Sequence, residues 1–274
     1  MSDFKTLQIE RHGHRAEVIL DRPHKLNALN RRMFAELRTA FEELDADPEV
    51  WVVVLRANGR MFTAGLDLID AMNLLQGPDA PDASQAEKAE HLYRVIKGLQ
   101  ASVNAIAHCR KPVIAAVHGK CIGGGVDIVT ACDIRVGSAD VEFSVHETRI
   151  AIVADVGTLQ RLTPVVGRGV AREMAFTGLP LGAERSLRHG LVNAVLADHD
   201  ALLDHARELA DAIASNSPLA VQGAKRVMDY SDAHGVDAGL EFVAHWNTAR
   251  LQSHDLAEAL GAFLEKRDGN YTGR

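Results

Sequence analysis

Two glycine-bearing turns, each leaving an apolar strand and opening a helix, constrain the fold of this chain more than any other feature. Residues 51–55 read WVVVL, a β-branched run of the kind buried on both faces of a sheet. The loop GRMFTAGLD follows at 59–67 and leads into a helix. A second apolar strand, residues 113–117, runs through VHGKCI into three consecutive glycines, Gly123, Gly124 and Gly125, and then into the short helical stretch VDIVTA. Glycines at such turns cost backbone entropy. In return they expose N–H groups at the positive end of a helix dipole, where a ligand can approach. Strands alternating with helical crossovers predict an α/β sheet.

The rest of the chain fits that frame. Residues 6–11 and 16–20 flank His12-Gly13 and predict a hairpin. Asn30 is placed to cap a helix whose Met33, Phe34, Leu37, Phe41 and Leu44 repeat at helical spacing. Residues 77–90 lack large apolar groups and predict a loop or flap before a helix from Leu92 to about His108. Residues 158–178 read as helical, Val192 to Leu196 as a last short strand, and four helical segments are expected between His199 and Arg267. The expected division is a core at 1–198 and a helical region at 199–274.

A chain of 274 residues, 47% hydrophobic and 24% charged, is sized for one large domain with a helical part. Its formal net charge of −7 disfavours a nucleic-acid-binding surface. Cys109, Cys121 and Cys132 form no CxxC pair and no disulfide framework, so a reducing compartment is expected. No stretch approaches the roughly 18 apolar residues of a membrane span. The opening residues lack a signal-peptide core or transit character, and a cytoplasmic location with no membrane partner is expected.

Three carboxylates lie where chemistry could use them. Asp127 follows the glycine turn, and an acid in a first helical turn also has an ordinary dipole explanation. Glu147 and Asp155 sit in apolar surroundings, where a carboxylate is costly unless paired or neutral. Capping of the helix after Gly157 is the ordinary alternative for Asp155. Asp133 is expected to fix backbone or to pair with Arg135. Neither HExxH nor GxSxG occurs, so neither a metal site nor a serine elbow is expected. The N–H groups of Leu66 and Gly124, one from each turn, are the candidate pair of oxyanion donors.

RPHKLNAL (22–29), MFTAGLDL (61–68), KPVIAAVHGKCIGGGVDIVTACDIR (111–135) and ADVGTLQRL (154–162) together resemble the crotonase, or enoyl-CoA hydratase/isomerase, superfamily. The resemblance runs from about residue 6 to 267. Within it, the acids at 127, 147 and 155 resemble those of the dienoyl-CoA isomerase branch, whereas typical hydratases carry glutamate at the position of Asp127 and no acid at that of Asp155.

The resemblance implies a spiral of ββα units with a helical C-terminal trimerisation region, assembled as a trimer or hexamer. It implies an acyl-CoA thioester substrate, proton transfers by Asp155 and Glu147 aided by Asp127, and a thioester oxygen held by Leu66 and Gly124. Arg22, Lys25 and Ala28, with Ala64, Gly65, Leu66, Asp67 and Leu68, match the CoA-binding stretches. No cofactor or metal is implied, because CoA belongs to the substrate. The pathway implied is fatty-acid β-oxidation. Two rival readings stand beside this one. A plain enoyl-CoA hydratase has no use for Asp155, and an RNA-binding relative fits poorly with the net charge.

Overall fold

The structure is a computed structural model that describes residues 3–75 and 83–274, with backbone alone at 73–75. The first part of the expected loop at 77–90, residues 77–82, lies outside the described residues.

The elements in chain order are β1 (Leu7–His12), β2 (Arg15–Leu20), α1 (Arg31–Ala46), β3 (Val52–Ala57), α2 (Leu68–Leu75), α3 (Gln85–Ala107), β4 (Val113–Val117), β5 (Lys120–Ile122) and α4 (Gly124–Thr130). They continue with β6 (Ile134–Ser138), β7 (Glu142–Ser144), α5 (Thr158–Val166), α6 (Arg168–Thr177), β8 (Leu181–Gly182), α7 (Ala183–Arg188) and β9 (Ala194–Leu196). Four helices close the chain: α8 (His199–Ala214), α9 (Pro218–His234), α10 (Val236–Arg250) and α11 (His254–Glu265).

Two sheets result, ordered β1-β2-β3-β4-β6-β9 and β5-β7-β8. The β1–β2 hairpin is antiparallel, turning through Gly13 at φ +58°, and every later pair of the large sheet is parallel. β2, β3 and β4 are buried along their whole length, which suits their apolar residues and leaves Arg15, Glu17 and Arg56 to be paired inside.

One face of the large sheet packs on α1, whose Met33, Phe34, Leu37, Phe41 and Leu44 are all buried. Asn30 caps that helix by accepting from the Met33 N–H at 2.9 Å, as its sequence predicts. The other face packs on Leu202, Ala206 and Ala210 of α8. The helical region expected from residue 199 therefore opens with a helix that shares a core with the sheet.

Helix α3 starts earlier than the sequence suggests. Ser84 and Glu87 form a reciprocal capping box, and this local device starts the helix at Gln85, inside the segment expected as a loop. The helical stretch at 158–178 breaks into α5 and α6 at Gly167, whose φ of +79° suits glycine. Asp133 does fix backbone, accepting from the Val113 N–H at 2.7 Å, but its ion pair is with Lys225 at 2.7 Å rather than with Arg135. Arg135 turns inward and donates to the carbonyls of Leu191 and Cys132, both at 2.7 Å.

Glu17 on β2 is fully buried and accepts from Arg56 at 2.6 Å and from Arg207 of α8 at 2.9 Å, with Arg15 at 3.5 Å. Burial alone would raise this carboxyl, yet the hydrogen bonds from Arg207 and Arg56 hold it at about 2. A carboxyl depressed below its ordinary value stabilises the fold above that value and loses the contribution as pH falls toward 2. Glu17→Ala leaves buried guanidinium groups without their common partner. Its expected cost is about 3–5 kcal/mol in a denaturant titration at neutral pH. A loss below about 1 kcal/mol, the scale of an exposed pair, would show that the cluster does not join α8 to the sheet.

Candidate active site

The first turn is held by the segment that precedes α1. Leu26 and Asn27 adopt left-handed backbone, and the Asn27 side chain donates to the carbonyls of Asn58 at 2.7 Å and Met61 at 3.2 Å. Thr63 donates its hydroxyl to the Asn27 carbonyl at 2.6 Å. Leu29 N–H donates to the Gly65 carbonyl at 2.8 Å, and Asp67 N–H to the Leu29 carbonyl at 3.0 Å.

The second turn is joined to the first by backbone bonds. Thr63 N–H donates to the Lys120 carbonyl at 3.0 Å, and Ile122 N–H donates to the Thr63 carbonyl at 3.2 Å. Contact is so close that glycine is required on both sides. A Cβ on Gly65, at φ +86°, would lie 2.8 Å from the Ile122 carbonyl oxygen, and one on Gly125 would lie 2.4 Å from Thr63 Cγ2.

Leu66 and Gly124 both line a cavity of about 270 Å³ at this junction. Their N–H groups have no protein acceptor among the described residues, whereas the amides of Gly65, Asp67 and Gly123 are all engaged. Two free donors from adjoining turns, one at the first position of α4, make a site for a developing oxyanion.

All three acids predicted from sequence line the same cavity. Asp127 is almost completely buried. Its Oδ1 accepts from the Thr158 N–H at 2.6 Å, so it caps α5 from across the site. Burial pushes its carboxyl up to about 6, with the Thr158 hydrogen bond pulling down and Asp155 adding to the rise.

Glu147 opens a single 3-10 turn, 147–150, and its Oε1 faces Gly123, whose added Cβ would stand 3.2 Å away. Its Oε2 is buried with no hydrogen-bond partner among the described residues. Burial raises this carboxyl to about 7, with Asp127 and Asp155 contributing repulsion. Asp155 is half-buried and is also raised by burial. Its backbone carbonyl accepts from Gln100 of α3 at 2.7 Å. Helix capping does not explain Asp155, because the cap position of α5 is Gly157 and the carboxylate serving Thr158 is Asp127.

Of the remaining residues expected here, Ala64, Gly65 and Leu68 line the cavity, whereas Arg22, Lys25, Ala28 and Asp67 stand outside it. Arg22 donates to the Ala28 carbonyl and pairs with Asp67 at 3.2 Å, so its guanidinium clamps the first turn rather than projecting into solvent. Lys25 is exposed. Sequence reasoning missed Phe34, Leu99, Ile150 and Ile152, which give the cavity its apolar wall. Phe34 carried a signal, its place on the buried stripe of α1, but that stripe reads equally as ordinary core.

Residues 11–274 match the family described as Enoyl-CoA hydratase/isomerase. The chain belongs to that family. Among enoyl-CoA hydratase/isomerase relatives, "Delta(3,5)-Delta(2,4)-dienoyl-CoA isomerase, mitochondrial" of Dictyostelium discoideum is 43% identical over 97% of this chain and 91% of its own length. The Arabidopsis thaliana protein of the same name, marked peroxisomal, is 43% identical over 97% of each. The crystal structure of an enoyl-CoA hydratase from Bacillus anthracis superposes with a TM-score of 0.89 at 27% identity, covering 98% of this chain and 100% of its own. The crotonase-type fold expected from the resemblance is therefore the fold observed.

Proposed function

We propose that this chain is a Δ3,5-Δ2,4-dienoyl-CoA isomerase. The observation that carries the reading is Asp155: a third raised carboxylate in one cavity with two free N–H donors, beyond what hydration of a 2,3 double bond needs. Relatives of that name matched over nearly the whole chain support the same conclusion.

The thioester oxygen sits between the Leu66 and Gly124 amides, which stabilise the enolate more than the ground-state carbonyl. Asp155 takes the proton from C2. The C2–H electron pair becomes the C1–C2 enolate bond, and charge moves onto the thioester oxygen. Conjugation extends the nucleophilic character to C6. Glu147, which holds its proton near neutrality, delivers it there, and the double bonds settle at 2,3 and 4,5. Each turnover leaves the proton on the opposite acid, and exchange between the two or with water resets them. Asp127 fixes α5 and polarises the cavity. The electron count is unchanged, so the reaction needs no redox cofactor.

The acyl chain meets the apolar wall, and the exposed Lys25 ammonium faces the CoA phosphates. A homo-trimer or hexamer is proposed on the apolar surface of the last two helices, where Phe263 and Leu264 are each 80% exposed. Light scattering at the mass of one 29.7 kDa chain would refute that assembly.

No helix among the described residues is long and apolar enough to cross a membrane. A cytoplasmic setting is proposed on the three buried free thiols, and fractionation of the source cell tests it.

The reading is tested with two substrates. Rapid growth of the 2,4-dienoyl absorbance from a 3,5-dienoyl-CoA, with slower hydration of crotonyl-CoA, is the expected result. Crotonyl-CoA hydration that is the faster reaction and survives Asp155→Asn would make the protein a hydratase instead.

A further inference from the structure

Three acids line this cavity, yet among the described residues none of them forms an ion pair. Arg161, in the first turn of α5 and outside the cavity lining, stands beside it: Asp127 accepts from the Thr158 N–H at 2.6 Å, and Arg161 covers Gly157, the residue just before. Its guanidinium donates to neutral oxygens only: Asn104 Oδ1 of α3 at 2.5 Å and the Val156 carbonyl at 3.5 Å. It lies directly over Gly157, at φ +131°, where an added Cβ would come within 1.9 Å of its Nη1. Gly157 is therefore glycine partly to admit this side chain. The same face of α3 holds the Asp155 carbonyl through Gln100, one helical turn before Asn104. The segment 155–157 is thus pinned at one end by Gln100 and covered at the other by Arg161.

We propose that Arg161 is the positioning residue and counter-cation of the acid cluster, fixing segment 155–157 and supplying the positive charge against which Asp127 ionises. The inference rests on the isomerase reading for its catalytic consequence, but not for its electrostatic one. The titratable groups lining the cavity are Asp127 of α4, Asp155 of the loop, and Glu147 and His146 at the 3-10 turn, with the Cys121 thiol behind Asp127. From α3 the neutral Gln100 and Asn104 hold the Asp155 carbonyl and Arg161, and from α1 Phe34 closes the cavity. Among the described residues no lysine or arginine lines the cavity, and Arg161 is the cation set against its wall. Asp127 and Arg161 each favour the charged form of the other, against burial that disfavours both.

With three acids and one cation, the cluster carries one shared proton most easily when Asp127 keeps its charge. Remove the cation and the proton is drawn toward Asp127, away from the acids that meet substrate. Arg161 would then matter although it touches none of the reacting atoms.

The test uses the full-length protein and the carboxyl C=O band of Asp127, isolated by difference infrared spectroscopy with Asp127→Asn as the blank. Arg161→Gln is expected to raise the titration midpoint of Asp127 by about one pH unit, the low end for loss of a neighbouring opposite charge. kcat on a 3,5-dienoyl-CoA is expected to fall about tenfold at pH 7 with KM within about twofold, the mark of a loss felt in the transition state. Arg161→Lys, which keeps the charge, should restore the midpoint. A folded Arg161→Gln protein with an unmoved midpoint overturns the proposal and leaves Arg161 a packing residue. If Arg161→Gln does not fold, Asn104→Leu releases the guanidinium from its anchor, and a midpoint that fails to rise there overturns it equally. The infrared titration needs no substrate. A wild-type protein inactive on dienoyl-CoA but showing the shift would sink the isomerase reading and keep this one, and the reverse pattern would do the opposite.

Discussion

Glu147→Gln is expected to lower kcat on a 3,5-dienoyl-CoA by roughly 10²–10⁴, the range for loss of a positioned general acid. The side chain is nearly isosteric, so the cavity keeps its shape while the group that carries the C6 proton is gone. Asp155→Asn should cost a similar factor. The double variant should be little worse than either single one, because the two acids serve one proton relocation and their effects are not additive. The pH dependence follows from burial. Burial raises Glu147 to about 7, and in the proposed role of acid its contribution is complete below that value and is lost as pH rises through it. kcat/KM of the wild type, which reports the free enzyme, should therefore fall above about pH 7, and this limb should be absent in Glu147→Gln. A Glu147→Gln enzyme with more than a tenth of wild-type kcat, or one that retains the alkaline limb, would remove Glu147 from the proton path.

Five strands of the large sheet, the two glycine turns and the three acids were legible in the sequence because each is a local signal, whereas β6 and the short strands β5, β7 and β8 were not expected. A β-branched run such as residues 52–54 has few places to go but a sheet interior, and GGG after a strand has few uses other than exposing amides. The resemblance supplied what spacing alone could not, that the two turns meet.

What the sequence hid depends on pairs far apart in the chain. Asp127 reads as a first-turn acid of its own helix, but it caps α5 through Thr158, 31 residues on. Asp133 has Arg135 two residues away and pairs instead with Lys225. Arg22 reads as a free cation beside a CoA cleft, yet Asp67 and the Ala28 carbonyl occupy its donors. The early start of α3 was missed for a different reason. Its first turns carry few large apolar groups, so the capping box rather than the hydrophobic period marks where it begins.

The sharpest test of the oxyanion site is steric rather than electrostatic. Gly65→Ala should lower kcat by about 10²–10³, as expected when one donor of an oxyanion hole is lost. An alanine there must adopt φ +86°, and its Cβ would stand 2.8 Å from the Ile122 carbonyl oxygen, a backbone atom that cannot swing aside. Relief comes only by moving the first turn away from β5, which separates the Leu66 and Gly124 amides. Left-handed strain by itself would also destabilise the protein, so a control is needed. Gly13 has φ +58° in the β1–β2 hairpin with nothing within 4 Å of an added Cβ, and Gly13→Ala should cost about 1–2 kcal/mol of stability with kcat unchanged. The bound-state readout is the carbonyl stretch of an unreactive acyl-CoA thioester, which two donors shift to lower frequency. Gly65→Ala should return that band toward its position in water, and Gly13→Ala should leave it in place. If Gly65→Ala instead keeps both the band and kcat within about threefold of wild type, a change well under the 10²-fold scale of one donor, the thioester oxygen is not held between these two turns.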